Sequence, residues 1–230
     1  MNVFGVPTRK IKIGDDLFSV FEKHFSGNLP EKSILVVTSK IVSLSEKAVQ
    51  KYFSEKEFFE IVAREADKIV AKKGDFFLTE KSGFLMPNAG IDKSNAPPKT
   101  AILLPRNPQK FADDFREKLR QKFHRKNIGV VVADSRVVSR RRGISGVALA
   151  WSGFFGVSDE RGKTDLFGRK LAVSEIAVAD NLASVAQIFF GQSAEKTPFC
   201  VFEKCETVFF TDAPQNPKMA KISQKDDLFS

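Results

Sequence analysis

The sequence predicts an α/β protein, of α+β type on a mixed sheet, and three observations carry that expectation. Ser33-Ile-Leu-Val-Val-Thr38 and Ile128-Gly-Val-Val-Val-Ala133 are continuous, mostly β-branched runs, the pattern of strands buried on both faces. Phe111, Phe115, Leu119 and Phe123 recur every fourth residue, which is the apolar stripe of a helix. The two kinds of segment alternate along 230 residues with no internal repeat and no linker. One compact unit is expected over residues 1–210, followed by a polar, mobile tail over 211–230.

Each element has its own signal. Pro7 biases Val6 towards extended geometry, so the chain opens as a strand-like segment. An acidic cap after Gly14 starts a short helix whose inner face is Leu17, Val20, Phe21 and Phe25, with His24 beside it, partly exposed. A strand is expected from Ser33 to Ser43, its far end turning polar. Ser54-Glu-Lys-Glu57 is a capping box opening a helix through Phe58, Ile61, Val62, Ala66 and Ile69 to Lys73, where Gly74 stops it. Phe76–Leu78 and Phe84–Met86 read as paired strands, and Ala101–Leu104 as another. Asn107-Pro108 opens the Phe-striped helix, with His124 at its basic end. Gly143 to Gly153 is a glycine-punctuated strand, Ser174 to Phe190 a helix ended by Gly191, and Pro198 to Phe202 a last strand.

The 37 basic residues against 28 acidic ones give a net charge of +9, which favours anionic partners: nucleotides, phosphorylated metabolites or nucleic acid. No helix-turn-helix or RNA-recognition signature accompanies that charge, so a nucleic-acid partner is not expected. Cys200 and Cys205 are too widely spaced for a zinc knuckle and have no second pair, so they read as free thiols of a reducing cytoplasm. Neither a signal peptide nor an apolar run long enough to span a bilayer is expected, which assigns a cytoplasmic location and no membrane partner. Gly156 to Thr164 ends in Gly-Lys-Thr, but five residues separate its glycines where a phosphate-binding P-loop has four.

Two stretches carry chemistry. Asp134-Ser135 closes the buried run at Ile128, and Arg136, Arg140, Arg141 and Arg142 follow at once. Ligands of open α/β sheets collect beyond the carboxyl ends of strands, and hard oxygens beside guanidinium groups suit Mg2+ and phosphate. Asp and Ser are also ordinary turn formers, and an arginine run is also an ordinary solvated face. Pro87 to Asn95 is dense in turn residues and holds one carboxylate and two side-chain amides. No Gly-x-Ser-x-Gly elbow is present, and neither histidine sits in a triad-like motif.

In their order these motifs resemble the coenzyme F-420 gamma-glutamyl ligase family, from about Val3 to about Phe202. The most specific match is Asn88-Ala-Gly-Ile-Asp92-Lys-Ser-Asn95, the family's Asn-Ala-Gly-Ile-Asp-x-Ser-Asn. Asp134-Ser135 stands where the family has Asp-Thr; Asp165-Leu-Phe-Gly-Arg169 resembles Asp-Leu-Tyr-Gly-Arg, and Val178-Ala-Asp180 with Gly191 matches a later helix and its end. The resemblance implies the family fold as an intertwined homodimer. It also implies a ligase that joins a deazaflavin carboxylate, coenzyme F-420-0, to L-glutamate, with GTP as co-substrate and Mg2+ or Mn2+ as metal. By the same resemblance Asp92, Asp134, Ser135 and Gln192 would hold the metals. Val6, Pro7, Thr8, Arg9, Ser39, Lys40, Asn95, Gly191, Gln192 and Pro198 would hold the nucleotide. The metals would orient the triphosphate towards the substrate carboxylate, an acyl phosphate would form, and the glutamate amine would attack it. Asp92 and Asp134, with Arg141 and Arg142 as an anion clamp, make the candidate catalytic set. The chain departs from the family at three points. Leu44 stands where a lysine is usual, with Lys40 and Lys47 as substitutes. Arg136-Val137-Val138 replaces an aromatic or polar residue followed by Gly-Arg, and Gln192 replaces an acidic residue.

Overall fold

The computed structural model describes residues 1–227, so the last three residues of the tail, 228–230, lie outside the described residues. In chain order the elements are β1 (Asn2–Val6), α1 (Leu17–His24), β2 (Ser33–Thr38), α2 (Ser39–Ser45), β3 (Val49–Lys51) and α3 (Glu55–Glu65). Next come β4 (Lys68–Lys73), β5 (Phe76–Lys81), β6 (Phe84–Pro87), β7 (Thr100–Ile102), α4 (Pro108–Phe123) and β8 (Ile128–Val137). The series ends with β9 (Ile144–Ser152), β10 (Ser158–Asp159), β11 (Glu175–Ile176), α5 (Val178–Phe190) and β12 (Phe199–Glu203).

Five strands form the central sheet in the order β1-β12-β2-β8-β9. β2 and β8 run parallel and the other pairs antiparallel, so the sheet is mixed, as expected. The two-residue period of a strand sends Leu35, Val37, Val130 and Val132 into one core, shared with Leu17, Phe21, Ile41, Phe115 and Leu119 of α1, α2 and α4. Ile34, Val36, Val131 and Ala133 enter the opposite core, against Ala179, Leu182, Ala183 and Ala186 of α5 and against Trp151. Burial on both faces is why these strands are uninterrupted apolar runs. Gly146 lets α5 lie close on β9, since a Cβ there would collide with the backbone of Ala183. A smaller lobe packs α3 against Ala89, Ile91 and Ala101, beside the three-stranded sheet β4-β5-β6 and the pair β3-β7.

Local signals placed most boundaries. Asp16 caps α1 by accepting from the Phe18 N–H, and Asn107 caps α4 with Pro108 in its first turn. Ser54 accepts from the Glu57 N–H at 3.2 Å, while the Glu57 carboxylate reaches back to the Phe53 N–H at 2.9 Å. Both thiols are buried, which pushes Cys200 up to about 12 and Cys205 up to about 11, and they form no disulfide.

Four expectations are corrected. The Ser33–Ser43 strand stops at Thr38, and Ser39 begins α2, because Ile41, Val42 and Leu44 find their burial only when wound into a helix under the sheet. The helix expected to reach Lys73 ends at Glu65; Asp67 N–H turns to the Glu80 carbonyl at 2.8 Å, and Lys68–Lys73 pairs with β5 instead. Glu175-Ile176 pairs with Ser158-Asp159, so the helix expected from Ser174 starts at Val178. The segment after Thr211 packs on the body. Arg116 Nη2 lies 2.6 Å from Asp212, and buried Gln215 accepts from Trp151 Nε1 at 3.1 Å.

Candidate active site: two cavities with a common wall

The parallel pairing of β2 with β8 sets Thr38 beside Ala133, so the carboxyl ends of both strands reach one edge of the sheet together. Ser39 and Lys40 follow one strand, and Asp134 and Ser135 lie at the end of the other. The antiparallel neighbours deliver their loops to the same edge. Val6 of β1 lies opposite Phe199 of β12, and the Thr38 N–H bonds the Pro198 carbonyl at 3.1 Å. The β8–β9 register shifts between Val132 and Ala133, one residue before Asp134, and such a bulge re-aims the side chains that follow it.

Asp92 arrives from the other lobe on an unusual turn. Asn88, Ala89 and Gly90 hold φ of 51°, 54° and 71°, a left-handed run that asparagine and glycine tolerate and alanine resists. The Asn88 side chain accepts from the Phe77 N–H at 3.0 Å, and the Ala89 N–H donates to Thr79 Oγ1 at 2.7 Å, which holds the strained turn in place. Asp92 then exchanges both backbone hydrogen bonds with Ile102.

The side chains meet as an acidic pair with one ammonium. Lys40 Nζ lies 2.6 Å from Asp92 and 2.8 Å from Ser94 Oγ, and the Ser94 N–H donates to Asp92 at 2.6 Å. Burial alone would raise the Asp92 carboxyl, but Lys40 and Ser94 outweigh it and hold the group below its ordinary value. Burial pushes Asp134 up to about 6, and the negative charge of Asp92 adds to the rise, against hydrogen bonds from the Ser135 N–H and the Ser39 hydroxyl.

Two cavities open on either side of this pair. The larger, about 510 Å³, is bounded by Thr8–Ile11, the start of α2, Asn95 and the Gly191–Pro198 loop. The smaller, about 400 Å³, lies between the lobes, with Phe58, Met86, Ile91 and Leu104 among its apolar walls and Arg136 at its side. Ser39, Lys40, Asp92, Asp134 and Ser135 line both. Asn95 Nδ2 donates to the Ser193 carbonyl at 2.7 Å and the Thr8 N–H to the Lys196 carbonyl at 2.7 Å, which ties the walls of the larger cavity together.

Of the residues singled out in the sequence, Thr8, Arg9, Ser39, Lys40, Asn95, Gly191, Gln192 and Pro198 line the larger cavity, as do Asp92, Asp134 and Ser135. Val6 is buried in the sheet core, and Pro7 is exposed and borders neither cavity. Arg141 and Arg142 border neither cavity, because β8 runs on to Val137 and carries them to the exposed turn before β9. Arg136, on the strand itself, is the arginine of that run that reaches the site. Leu44 presents an apolar wall to the larger cavity; Lys40 borders it and Lys47 does not. Gln192 is linked to the wall through Gln187, which accepts from it at 3.0 Å and donates to the Asp134 carbonyl at 3.2 Å. Sequence reasoning missed Phe58, Met86 and Leu104 as cavity walls, since their apolar spacing is that of ordinary core.

Two carboxylates, a hydroxyl and a side-chain amide border the larger cavity as oxygen donors; Glu195 also borders it, and among the described residues no three His, Cys, Asp or Glu side chains cluster as a metal site. Such a set fits Mg2+ or Mn2+, which bind through one or two carboxylates and complete their shells with water and phosphate oxygens. The raised Asp134 has a measurable consequence without metal. Folding penalises its ionisation, so the penalty is absent below about pH 4, grows as pH rises towards 6 and is complete above it. Asp134→Asn should therefore stabilise the EDTA-treated protein by roughly 1–3 kcal/mol at pH 7.5 and change it little near pH 4. Urea titrations at the two pH values check this; equal effects at both would contradict it.

The profile of the F420-0:Gamma-glutamyl ligase family matches residues 5–204. The chain is 34% identical to the coenzyme F420:L-glutamate ligase of Methanopyrus kandleri over 240 aligned positions, covering 96% of this chain and 94% of that protein. It is 33% identical to the ligase of the same name from Methanococcus maripaludis strain C7, covering 91% and 90%. Against that of Methanocaldococcus jannaschii it is 31% identical, covering 86% and 76%. A match over nearly the whole folded chain means that this chain belongs to the F420-0:gamma-glutamyl ligase family.

Proposed function

We propose that the chain is a GTP- and metal-dependent ligase of the cytoplasm that joins L-glutamate to a substrate carboxylate, coenzyme F420-0 in the family reaction, through an acyl phosphate. The observation that carries this reading is the common wall: one cavity of nucleotide size meets a second cavity at Asp92, Asp134, Ser135, Ser39 and Lys40. A phosphoryl group passing from a nucleotide to an acid must be reached from both sides, and the shared wall satisfies that need. The larger cavity takes the nucleotide, with Thr8, Arg9, Lys40, Asn95 and the Gly191–Pro198 loop around it.

Asp92, Asp134, Ser135 and Gln192 would hold Mg2+ or Mn2+, which when bound neutralises phosphate charge. Lys40 balances Asp92 and lies against both cavities, in position to bind phosphate oxygens where the family lysine is replaced by Leu44. Ser135 orients the Asp134 carboxylate through its N–H. The apolar walls of the smaller cavity exclude water, which preserves an acyl phosphate until the amine arrives. A diverged, nucleotide-binding family member is the second reading, and the apolar Leu44 in the wall of the larger cavity favours it.

Assembly as a homodimer is part of this reading. The ribbon from Ser158 to Ile176 ends in a turn that holds Leu166 and Phe167 almost fully exposed, an apolar tip suited to cover by a second copy. Light scattering at micromolar concentration should report two chains; a single chain would contradict the assembly. Calorimetry with GTP and Mg2+ tests the site. Asp92→Asn and Asp134→Asn should each abolish metal-dependent GTP binding while leaving the fold intact, because the amide keeps the shape and loses the charge. Wild-type affinity in both variants would remove these residues from the nucleotide site.

A further inference from the structure

Three cations line the smaller cavity, and they differ in how well they are already partnered. Lys40 sits 2.6 Å from Asp92. Lys93 sits 2.7 Å from Glu55, with its ammonium 3.9 Å from the centre of the Phe58 ring. Arg136 has only Asp180, at 3.4 Å, well beyond the roughly 2.8 Å of a charge-assisted hydrogen bond. Its Nε is buried and has no hydrogen-bond partner.

That orphan is one of three such atoms among the described residues, and a second, Ser43 Oγ, belongs to the same cavity wall. Ser43 is 1% exposed, so water does not satisfy it from the surface. Buried polar groups are nearly always paired, and two unpaired ones in the wall of one cavity point to a polar group that the cavity receives. Asp180 is itself fixed: its other oxygen accepts from the Ala148 N–H at 2.9 Å. The arginine therefore rests 3.4 Å from a carboxylate already held by a backbone N–H, and that contact leaves its buried Nε without a partner.

We propose that Arg136 is a carboxylate clamp of the smaller cavity, parked on Asp180 when the cavity is empty and transferred to the carboxylate of an entering acid. A guanidinium that turns from a single long contact to a bidentate one gains two short charge-assisted hydrogen bonds and gives its Nε–H a partner. The apolar walls at Phe58, Met86, Ile91 and Leu104 cover the carbon skeleton of the same acid. This deepens the ligase reading and rests on it for the identity of the acid, which is either the acceptor or the incoming amino acid. In this role Arg136 determines specificity for the acid.

Two substitutions of opposite expected sign test the clamp. Arg136→Gln removes the charge. Asp180→Asn removes the competing charge but keeps an amide oxygen for the Ala148 N–H. Calorimetric titration of wild type, R136Q and D180N with coenzyme F420-0 and, separately, with L-glutamate gives dissociation constants that do not depend on turnover. For at least one acid, R136Q should bind at least tenfold more weakly than wild type and D180N at least threefold more tightly; which acid responds says whose carboxylate is held. Equal constants in the three proteins, weaker binding in both variants, or no binding of either acid by wild type overturns the proposal. A wild type that binds in the expected order but makes no amide product sinks the ligase reading and leaves the clamp. A working ligase with equal constants does the reverse.

Discussion

Two carboxylates converge at the edge of a sheet that is buried on both faces, and one ammonium, that of Lys40, is paired with the first of them, Asp92. The rest of the site depends on that constraint. Asp134 lies at the end of a run that has no polar side chain before it, so its charge is poorly hydrated and its carboxyl rises to about 6. Asp92 avoids the same fate by holding Lys40 and Ser94. An arrangement of this kind is unfavourable for the empty protein, and in the proposed function a cation and a polyphosphate would relieve it, which is the trade between stability and function seen where a fold carries chemistry.

The topology explains why residues so far apart in sequence share this edge. The parallel step from β2 to β8 spans almost ninety residues, and the smaller lobe is folded within that crossover. Asp92 is thus brought to the sheet edge by the same connection that makes the strands parallel, while β1 and β12 bring their loops from the two chain ends. The cavity between the lobes and the cavity beside the Gly191–Pro198 loop are the two sides of one strand-end platform. Arg136 belongs to the platform because β8 continues past Asp134.

Much of this was legible in the sequence, for physical reasons that differ from element to element. The strands at Ser33 and Ile128 were plain because double burial leaves no room for polar residues. Helix starts were plain where a side chain caps the first turn, as at Asp16, Ser54 and Asn107. Boundaries failed where tertiary packing overrode local preference: Ile41 and Val42 favour a strand and lie in α2, and Ile69 fits a helical stripe and lies in β4. The carboxylates and the loops of the larger cavity were readable from motifs. The reach of the arginine run was not, because residue type does not reveal that a strand continues two residues beyond a turn-forming Asp-Ser. Nor does it distinguish Phe58 and Met86 as cavity walls from the core residues they also are.

The central claim is that a phosphoryl group crosses the wall at Asp92 and Asp134 from a nucleotide in one cavity to an acid in the other. The most direct measurement uses coenzyme F420-0 labelled with oxygen-18 in its substrate carboxylate, incubated with the protein, GTP, Mg2+ and L-glutamate. If the carboxylate attacks the terminal phosphorus, one of its oxygens bridges carbon and phosphorus and leaves with phosphate when the amine displaces it. Mass spectrometry should then find one labelled oxygen in the inorganic phosphate for each amide formed. Amide formed with unlabelled phosphate would contradict the account, since the phosphoryl group would never have been joined to the acid.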